Sequence, residues 1–458
     1  MRYEKKCLRS FLLLLLSALL LSGCAKSIPL DTRPPEPWET TAVDRATAQA
    51  PFIAGVGRTK IVPSDSLPMG GYGVYFGSLR ITRRSEGVHD PLFATAVYFE
   101  KGADQLAIIA MDVIGLIKAD IDEIRKTVES KTGIHAERVI VTSSHTHHSP
   151  DTVGLWGTLL PPHSGRDEAY MRFIKRQAAL AVQQAMANRR EAVLLAAVGE
   201  EKDLHTNIRL ETDPDAPIDH TLAVLVLKNA AGEVFGTVTN WACHPTTESA
   251  ENRLISSDWV HYLRTTLAEK YPHATHMFIN GAIGGAILPV DLWRDAEAGA
   301  NAKPFTWTKN MGVTLGKKVA RMVPQAKPVQ VDAIDVRFAP VRAYNHNWAF
   351  NLARDLKVLA MHVPAEGEVY YSKVTAVKMG SLRIGTLPGE VMPDIANKIR
   401  RQLGGETQVL VGLGQDWLGY VVMPEKYDDE RYAYEKLLCI GPEFGTNLLK
   451  AYAALKFE

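Results

Sequence analysis

The sequence predicts an α/β fold of layered, mixed β-sheets with helices on their outer faces, in a single domain. Three observations lead there. β-branched apolar runs of strand length recur along the whole chain, helical periodicity falls between many of them, and no Ser/Gly/Pro linker or charge run divides them. Strands and helices mixed throughout one long stretch imply sheets covered by helices rather than separate all-α and all-β parts.

The chain begins with an export-like segment. Lys5, Lys6 and Arg9 precede an apolar run from Phe11 to Leu21, broken only by Ser17, and Ser22-Gly23-Cys24 follows. Charged flank and short apolar stretch are those of a secretory signal, and the run is short for a membrane span. Leu21-Ser22-Gly23-Cys24 resembles a bacterial lipobox, which implies residues 1–24 as a lipoprotein signal with Cys24 as the lipidated residue. Ala25 stands where an inner-membrane retention signal places aspartate, so the expectation is an exported, envelope-anchored protein, with the outer membrane favoured. Residues 25–50, rich in Pro, Thr, Asp and Glu, read as a flexible tether, leaving 51–458 for the folded domain.

Composition narrows the partners. A net charge of +1, with no Lys/Arg block after the signal, gives no electrostatic basis for binding nucleic acid. Only Cys243 and Cys439 lie beyond the export segment, which excludes a disulfide framework and leaves one pairing open.

Strand-like runs stand at Leu106–Met111, Val139–Thr142, Val193–Val198, Leu222–Leu227, Val234–Trp241, Met277–Ile279, Val329–Phe338, Val374–Ile384 and Val409–Gly412. Helical patterns cover Lys118–Lys131, Glu168–Asn188, Asp258–Tyr271, capped by Ser256 or Ser257 and stopped by Pro272, and Met392–Leu403, ended by Gly404-Gly405. No internal repeat stands out at the usual periods.

The chemistry gathers where strands end. Val139-Ile140-Val141 reads as a strand buried on both faces, and it runs into Thr142-Ser143-Ser144-His145-Thr146-His147-His148-Ser149-Pro150. Strand alternation puts His145 and His147 on one face, about 7 Å apart along the chain, with Thr146 and His148 on the other. Two such imidazoles suit one metal ligand and one acid/base group, or a satisfied polar rim. Asn240-Trp241-Ala242-Cys243-His244-Pro245 repeats the pattern, although His244 alone reads more readily as a hydrogen-bonded strand-end histidine than as a ligand. Leu387-Pro388-Gly389-Glu390 places a carboxylate at a turn just before a helix, where the helix dipole alone would favour it. Tyr420, after Gly419, reads as a packing residue with a wet hydroxyl. Gly154 to Gly165, with Trp156, Leu159 and Leu160, reads as a lid or as a loop packed on the surface.

In order along the chain, these segments resemble the neutral, non-lysosomal ceramidases. Ala54-Gly55-Val56-Gly57-Arg58 and Met69-Gly70-Gly71-Tyr72-Gly73 are similar to that family's opening glycine motifs, and Ile109-Ala110-Met111-Asp112 follows. Residues 142–150 are similar to its H-T-H-S-G-P signature, and Asn240 to Thr246 with Ile255-Ser256-Ser257-Asp258 to its H-P-T and S-S-D elements. Leu387 to Glu390 matches P-G-E, and Gly419-Tyr420 to Tyr427 with Tyr432-Ala433-Tyr434-Glu435 matches the closing tyrosine-rich segment. The resemblance implies a zinc-dependent amidohydrolase acting on a ceramide-like N-acyl substrate, with His145, His244, Glu390 and Tyr420 holding Zn²⁺. It further implies His147 as proton carrier and Arg209 as the group that steadies the oxyanion or a substrate hydroxyl.

Three departures are plain. Gly281-Ala282-Ile283-Gly284-Gly285-Ala286-Ile287-Leu288-Pro289 lacks the aspartate and serine of the family's N-L-G-D-V-S-P segment; a zinc-hydroxide mechanism survives that loss, and a serine acyl-enzyme does not. His148 replaces a smaller residue beside the expected pocket and is expected to reshape it, and the chain ends soon after the tyrosine segment, so the resemblance implies a catalytic domain with no C-terminal immunoglobulin-like domain. Two other readings stand beside the ceramidase-like one: an exported amidase on cell-wall or peptide amides, and a non-catalytic metal-containing lipoprotein. No G-x-S-x-G supports a serine hydrolase.

Overall fold

The computed structural model describes residues 49–76, 79–159, 162–290, 303–356, 364–365 and 367–457. The signal at 1–24, Cys24 and almost all of the tether lie outside them, and the 154–165 loop lies partly outside. Among the described residues no helix is long and apolar enough to cross a membrane.

Twelve longer strands fall into three units of identical topology. The first has β1 (Phe52–Lys60), β2 (Phe93–Lys101), β3 (Asp104–Met111), α1 (Lys118–Thr132), β4 (Val139–Ser143) and α2 (Glu168–Ala187). The second has β5 (Val193–Glu200), β6 (Thr221–Lys228), β7 (Val234–Trp241), α3 (Trp259–Lys270), β8 (Thr275–Asn280) and α4 (Thr306–Met322). The third has β9 (Asp335–Tyr344), β10 (Val369–Met379), β11 (Leu382–Leu387), α5 (Pro393–Leu403), β12 (Thr407–Gly412) and α6 (Glu443–Ala454). In each unit three strands form an antiparallel meander, and a helical crossover returns the chain to a fourth strand parallel to the third. The sequence shows no matching repeat, because topology constrains apolar alternation and not residue identity.

The inner faces of the three sheets share one core, with Phe52, Phe99 and Ile108 of the first meeting Leu225 and Met277 of the second and Val377, Ile384 and Val409 of the third. Each outer face is covered by its unit's two helices: Ile124 and Ile174 on the first sheet, Leu263 and Leu315 on the second, Ile395 and Leu448 on the third. Each fourth strand lies at a sheet edge. These three edges cover one another at the centre, which removes the exposed ladder groups an edge would otherwise present. The Thr142 hydroxyl donates to the Gly412 carbonyl at 2.5 Å, and a Cβ at Gly412 would sit 2.0 Å from the Gly281 carbonyl oxygen.

Several boundaries differ from the sequence reading. Val374–Ile384 is two strands, because Gly380, at φ +54°, turns the chain between β10 and β11. Val329, Val331 and Ile334 are buried but precede β9 rather than belonging to it, since an apolar pattern reports burial and not pairing. Asp258, not Ser256 or Ser257, caps α3: its carboxylate accepts the Trp259 N–H at 2.7 Å while both serines donate to Asp90. Cys243 and Cys439 are both free and buried, so they do not pair.

Gly412→Ala forces a methyl into backbone that has no flexible atom to yield. The expected outcome is a loss of about 3 kcal/mol, the upper end for overpacking, read as a lower denaturant midpoint at unchanged slope.

Candidate metal centre

Turns after strand ends at the junction of the three units carry the chemistry. Three residues past the third strand of each unit stand Ile114, His244 and Glu390, and two residues past β4 stands His145. His145 has φ +68°, a region rarely occupied by a residue with a side chain, and its N–H donates to the Val113 carbonyl at 3.0 Å. β4 therefore ends before the histidines, and strand alternation does not set their directions. The rings of His145 and His147 nevertheless converge, with centroids 5.0 Å apart, and His244 lies 4.9 Å from His145 and 5.7 Å from His147.

Backbone carbonyls fix two of the three tautomers. His145 Nδ1 lies 2.5 Å from the Ile114 oxygen and His244 Nδ1 lies 2.8 Å from the Ile287 oxygen. A carbonyl only accepts, so each Nδ1 carries a proton, and in the neutral ring Nε2 is then the lone-pair nitrogen. Both Nε2 atoms face Glu390: His145 Nε2 is 3.5 Å from Oε1 and His244 Nε2 is 3.3 Å from Oε2. The Tyr420 hydroxyl also hydrogen-bonds to this carboxylate, from a short strand (Tyr420–Val421) paired in parallel with Glu390–Val391. All four side chains are buried. Burial lowers the His145 pKa to about 4, against the opposing pull of Glu390. Burial also pushes the Glu390 carboxyl up, but His145, His244 and the Tyr420 hydroxyl together hold it below its ordinary value, while burial and Glu390 drive the Tyr420 phenol well above its own.

His147 is held differently. Both of its ring nitrogens are buried without a hydrogen-bond partner. Packing orients it instead: a Cβ at Gly71, whose φ is +96°, would sit 2.3 Å from its Cγ, and the Tyr72 ring meets it edge-on at 4.7 Å. Arg83, itself buried, donates to the carbonyls of Gly70 and His147 and lies 4.9 Å above the Tyr72 ring. Burial and the neighbouring histidines depress the His147 pKa well below the usual value. Ligand atoms of His145, His147 and His244 all lie within 4.8 Å of one another, the one such group found among the described residues. The sequence reading set His147 apart as proton carrier; the geometry puts it within ligand reach as well.

The remaining expected residues are spread more widely. Arg209 is buried and its Nε donates to Glu435 Oε1 at 2.8 Å. Glu435 has its other oxygen buried without a hydrogen-bond partner and interacts electrostatically with Glu390 and Tyr420, so the Arg209–Glu435 pair stands behind the tyrosine wall. His148 is fully buried, with Asn252 at 3.0 Å and Asp258 at 3.4 Å, so it packs against the S-S-D turn. The departing loop holds the site through its backbone: the Ile287 oxygen accepts from His244, and the Gly284 N–H donates to Val391 next to Glu390. A Cβ at Gly284 would lie 2.6 Å from the Glu390 carbonyl oxygen. The sequence reading missed Tyr72 and Glu435 as parts of the site, although both stand in quoted motifs.

No family model matches the sequence. Among solved structures, the chain is similar to neutral ceramidase from Pseudomonas aeruginosa, with a TM-score of 0.73 at 20% identity over 89% of this chain and 75% of that one. It is likewise similar to a ceramidase complexed with C2, with a TM-score of 0.74 at 19% identity over the same shares. At such identities the likeness establishes the fold.

His145, His205 and His276, all buried, each titrate near 4 rather than 6.5, because burial disfavours the imidazolium. Between those values the unfolded chain binds protons that the folded chain does not, so metal-free protein loses stability as pH falls through that window, by up to roughly 4 kcal/mol per pH unit. Denaturant midpoints of chelator-treated protein, stepped from pH 7 to pH 4, are expected to fall steeply below pH 6.5; a flat profile would contradict the burial of these rings.

Proposed function

On the premise that the chain has the neutral ceramidase fold, we propose that it is a zinc-dependent hydrolase that cleaves the amide bond of a ceramide-like N-acyl substrate. The observation that carries this reading is the pair of Nε2 atoms facing the Glu390 oxygens at 3.5 and 3.3 Å. Two imidazole nitrogens converging on one buried carboxylate make a site that a cation shared between them stabilises. Imidazole nitrogen, carboxylate and phenol oxygen are a donor set that suits Zn²⁺, with His145, His244, Glu390 and Tyr420 as its holders.

When bound, Zn²⁺ polarises a carbonyl and lowers the pKa of a water to roughly 7. The chain's own residues supply the rest. Carbonyls of Ile114 and Ile287 lock two imidazoles with Nε2 inward, so no reorientation is needed on binding. His147, with two unpartnered ring nitrogens, accepts the proton from the attacking water and returns it to the leaving amide nitrogen. Arg209, braced by Glu435, is the residue that the resemblance assigns to the oxyanion or a substrate hydroxyl. The Gly281–Pro289 loop contributes backbone support and no nucleophile, in keeping with attack by water. The neighbour complexed with C2 supports a lipid amide as substrate class. The lipobox-like ending at Cys24 supports an exported, lipid-anchored protein, and on that reading the amide is met in the cell envelope.

Wild-type protein is expected to retain a stoichiometric divalent cation through purification, and His145→Ala to lose it; equal metal in both would remove the site. His147→Gln is expected to keep the cation while kcat on N-acyl sphingosine falls by about 10²–10⁴. Loss of the cation in that variant instead makes His147 a ligand. A panel adding N-acyl amino acids and peptidoglycan fragments separates lipid from cell-wall amides, and survival of all three favours a binding protein. Cys24→Ser is expected to move the protein from the membrane fraction to the soluble one.

A further inference from the structure

The last residue of the fourth strand in each unit is Ser143, Asn280 and Gly412, and the three positions meet where the sheet edges converge. They are not interchangeable. Gly412 has no room for a side chain, since the Gly281 backbone occupies that space. Ser143 has a buried hydroxyl without a hydrogen-bond partner. Only Asn280 reaches across.

Its amide is fully buried and all of its hydrogen-bonding capacity is used. Nδ2 donates to the Ser144 carbonyl at 2.9 Å and to the Cys243 carbonyl at 3.0 Å. Oδ1 accepts from the N–H of Cys243 at 3.1 Å and of Gly281 at 3.0 Å. Ser144 and Cys243 are the residues immediately before His145 and His244. One side chain from the second unit therefore ties together the two histidine-bearing turns, which come from different sheets and have no covalent link shorter than the intervening 99 peptide bonds.

We propose that Asn280 is a positioning residue that sets the separation and direction of His145 and His244 through the carbonyl preceding each. The proposal deepens the metal-site reading and rests on it for its consequence in catalysis, but not for its geometry. Beside this link, the strained His145 turn is held by the Val113 and Ile114 carbonyls, and among the described residues the only other bond between the two histidine-bearing turns is the longer one from the His147 N–H to the Pro245 carbonyl, at 3.3 Å. Asn280→Asp keeps the shape and the two accepted bonds but turns an anionic oxygen toward two carbonyls. Asn280→Ala removes all four bonds.

Asn240 provides the control. It is equally buried, lies on the neighbouring strand, and makes a similar set of bonds, to the Ile279 carbonyl at 3.0 Å and to both the N–H and the carbonyl of Leu410 at 3.1 and 2.9 Å. A longer bond, 3.4 Å, runs from its Nδ2 to the Asn280 backbone carbonyl, which both Asn280 variants keep, and none of these partners adjoins a histidine of the site. In ¹⁵N-histidine-labelled, metal-free protein, the Nδ1–H protons of His145 and His244 report the two turns directly. Their exchange with water is expected to be at least about tenfold faster in Asn280→Ala and Asn280→Asp than in wild type, the equivalent of about 1.4 kcal/mol of lost protection, and unchanged in Asn240→Ala. Zinc affinity by chelator competition is expected to weaken at least about tenfold in the Asn280 variants alone. Equal exchange in the Asn280 and Asn240 variants overturns the proposal, as does failure of both Asn280 variants to fold when Asn240→Ala folds, because the link would then support the core and not the site. If wild type takes up no zinc while the exchange pattern holds, the metal-site reading fails and the positioning role stands.

Discussion

Two imidazole nitrogens converge on one carboxylate in a buried interior, and the fold holds that arrangement in place. Left alone, such groups would be free to turn away from each other. Carbonyls of Ile114 and Ile287 pin the rings instead, and burial lowers the His145 pKa to about 4. What results is a cluster of donors whose electrostatics favour a cation. Preorganisation of this kind is how a protein gains affinity and catalytic power, because the cost of orienting the groups is met in folding.

The three-unit topology explains how residues so far apart in the chain reach one point. Each unit ends its third and fourth strands at the same end of its sheet, and mutual packing of the three outermost strands brings those ends together. Turns rather than strands then carry the donors, as is usual where ligands sit beyond the carboxyl ends of parallel strands. The units have specialised. The first supplies His145 and His147, the second His244 and the amide of Asn280, and the third Glu390, with Tyr420 just beyond β12. The hydrophobic position corresponding to His244 and Glu390 is Ile114, which still acts through its carbonyl. A long-range ion pair reinforces the junction, since Arg264 of α3 donates to both oxygens of Asp112 at the end of β3, at 2.6 and 2.8 Å.

Much of this was legible in the residues, for identifiable reasons. Continuous apolar runs such as Val139–Val141 and Val234–Trp241 announced buried strands, and a polar residue at the end of such a run is conspicuous because little else explains it. The shared face of His145 and His147 was expected from strand alternation, but β4 stops at Ser143 and a left-handed residue does the turning. No propensity announces a histidine at φ +68°, since that conformation is imposed by the surrounding turn. Carbonyl partners were invisible in principle, because every residue has a carbonyl and the sequence does not say where it points. The threefold topology was hidden for a related reason: pairing order leaves its trace in alternation, which β-sheet proteins share regardless of topology. Where His148 points was likewise not legible: it lies 3.4 Å from Asp258, and turn direction is the quantity that sequence pattern encodes least.

The contrast among the three histidines bears on how labour is divided at the centre. His145 and His244 each spend one nitrogen on a carbonyl, which makes the other the lone-pair nitrogen of the neutral ring; such a ring can hold a cation but cannot pass a proton through itself without breaking that bond. His147 spends neither nitrogen. Its ring is held by shape alone, between the bare backbone of Gly71 and the edge of Tyr72, so either nitrogen can take or give a proton with no hydrogen bond to break first. Proton transfer in both directions during one turnover asks for this freedom, whereas cation binding asks for its absence. A glycine at position 71 is then more than a turn residue: it is the surface against which the one unconstrained imidazole is kept in reach of the other two. On the proposed reading, the absence of an aspartate and a serine from the Gly281–Pro289 loop fits the same division, because attack by an activated water with a proton carrier leaves no step for a serine nucleophile to perform.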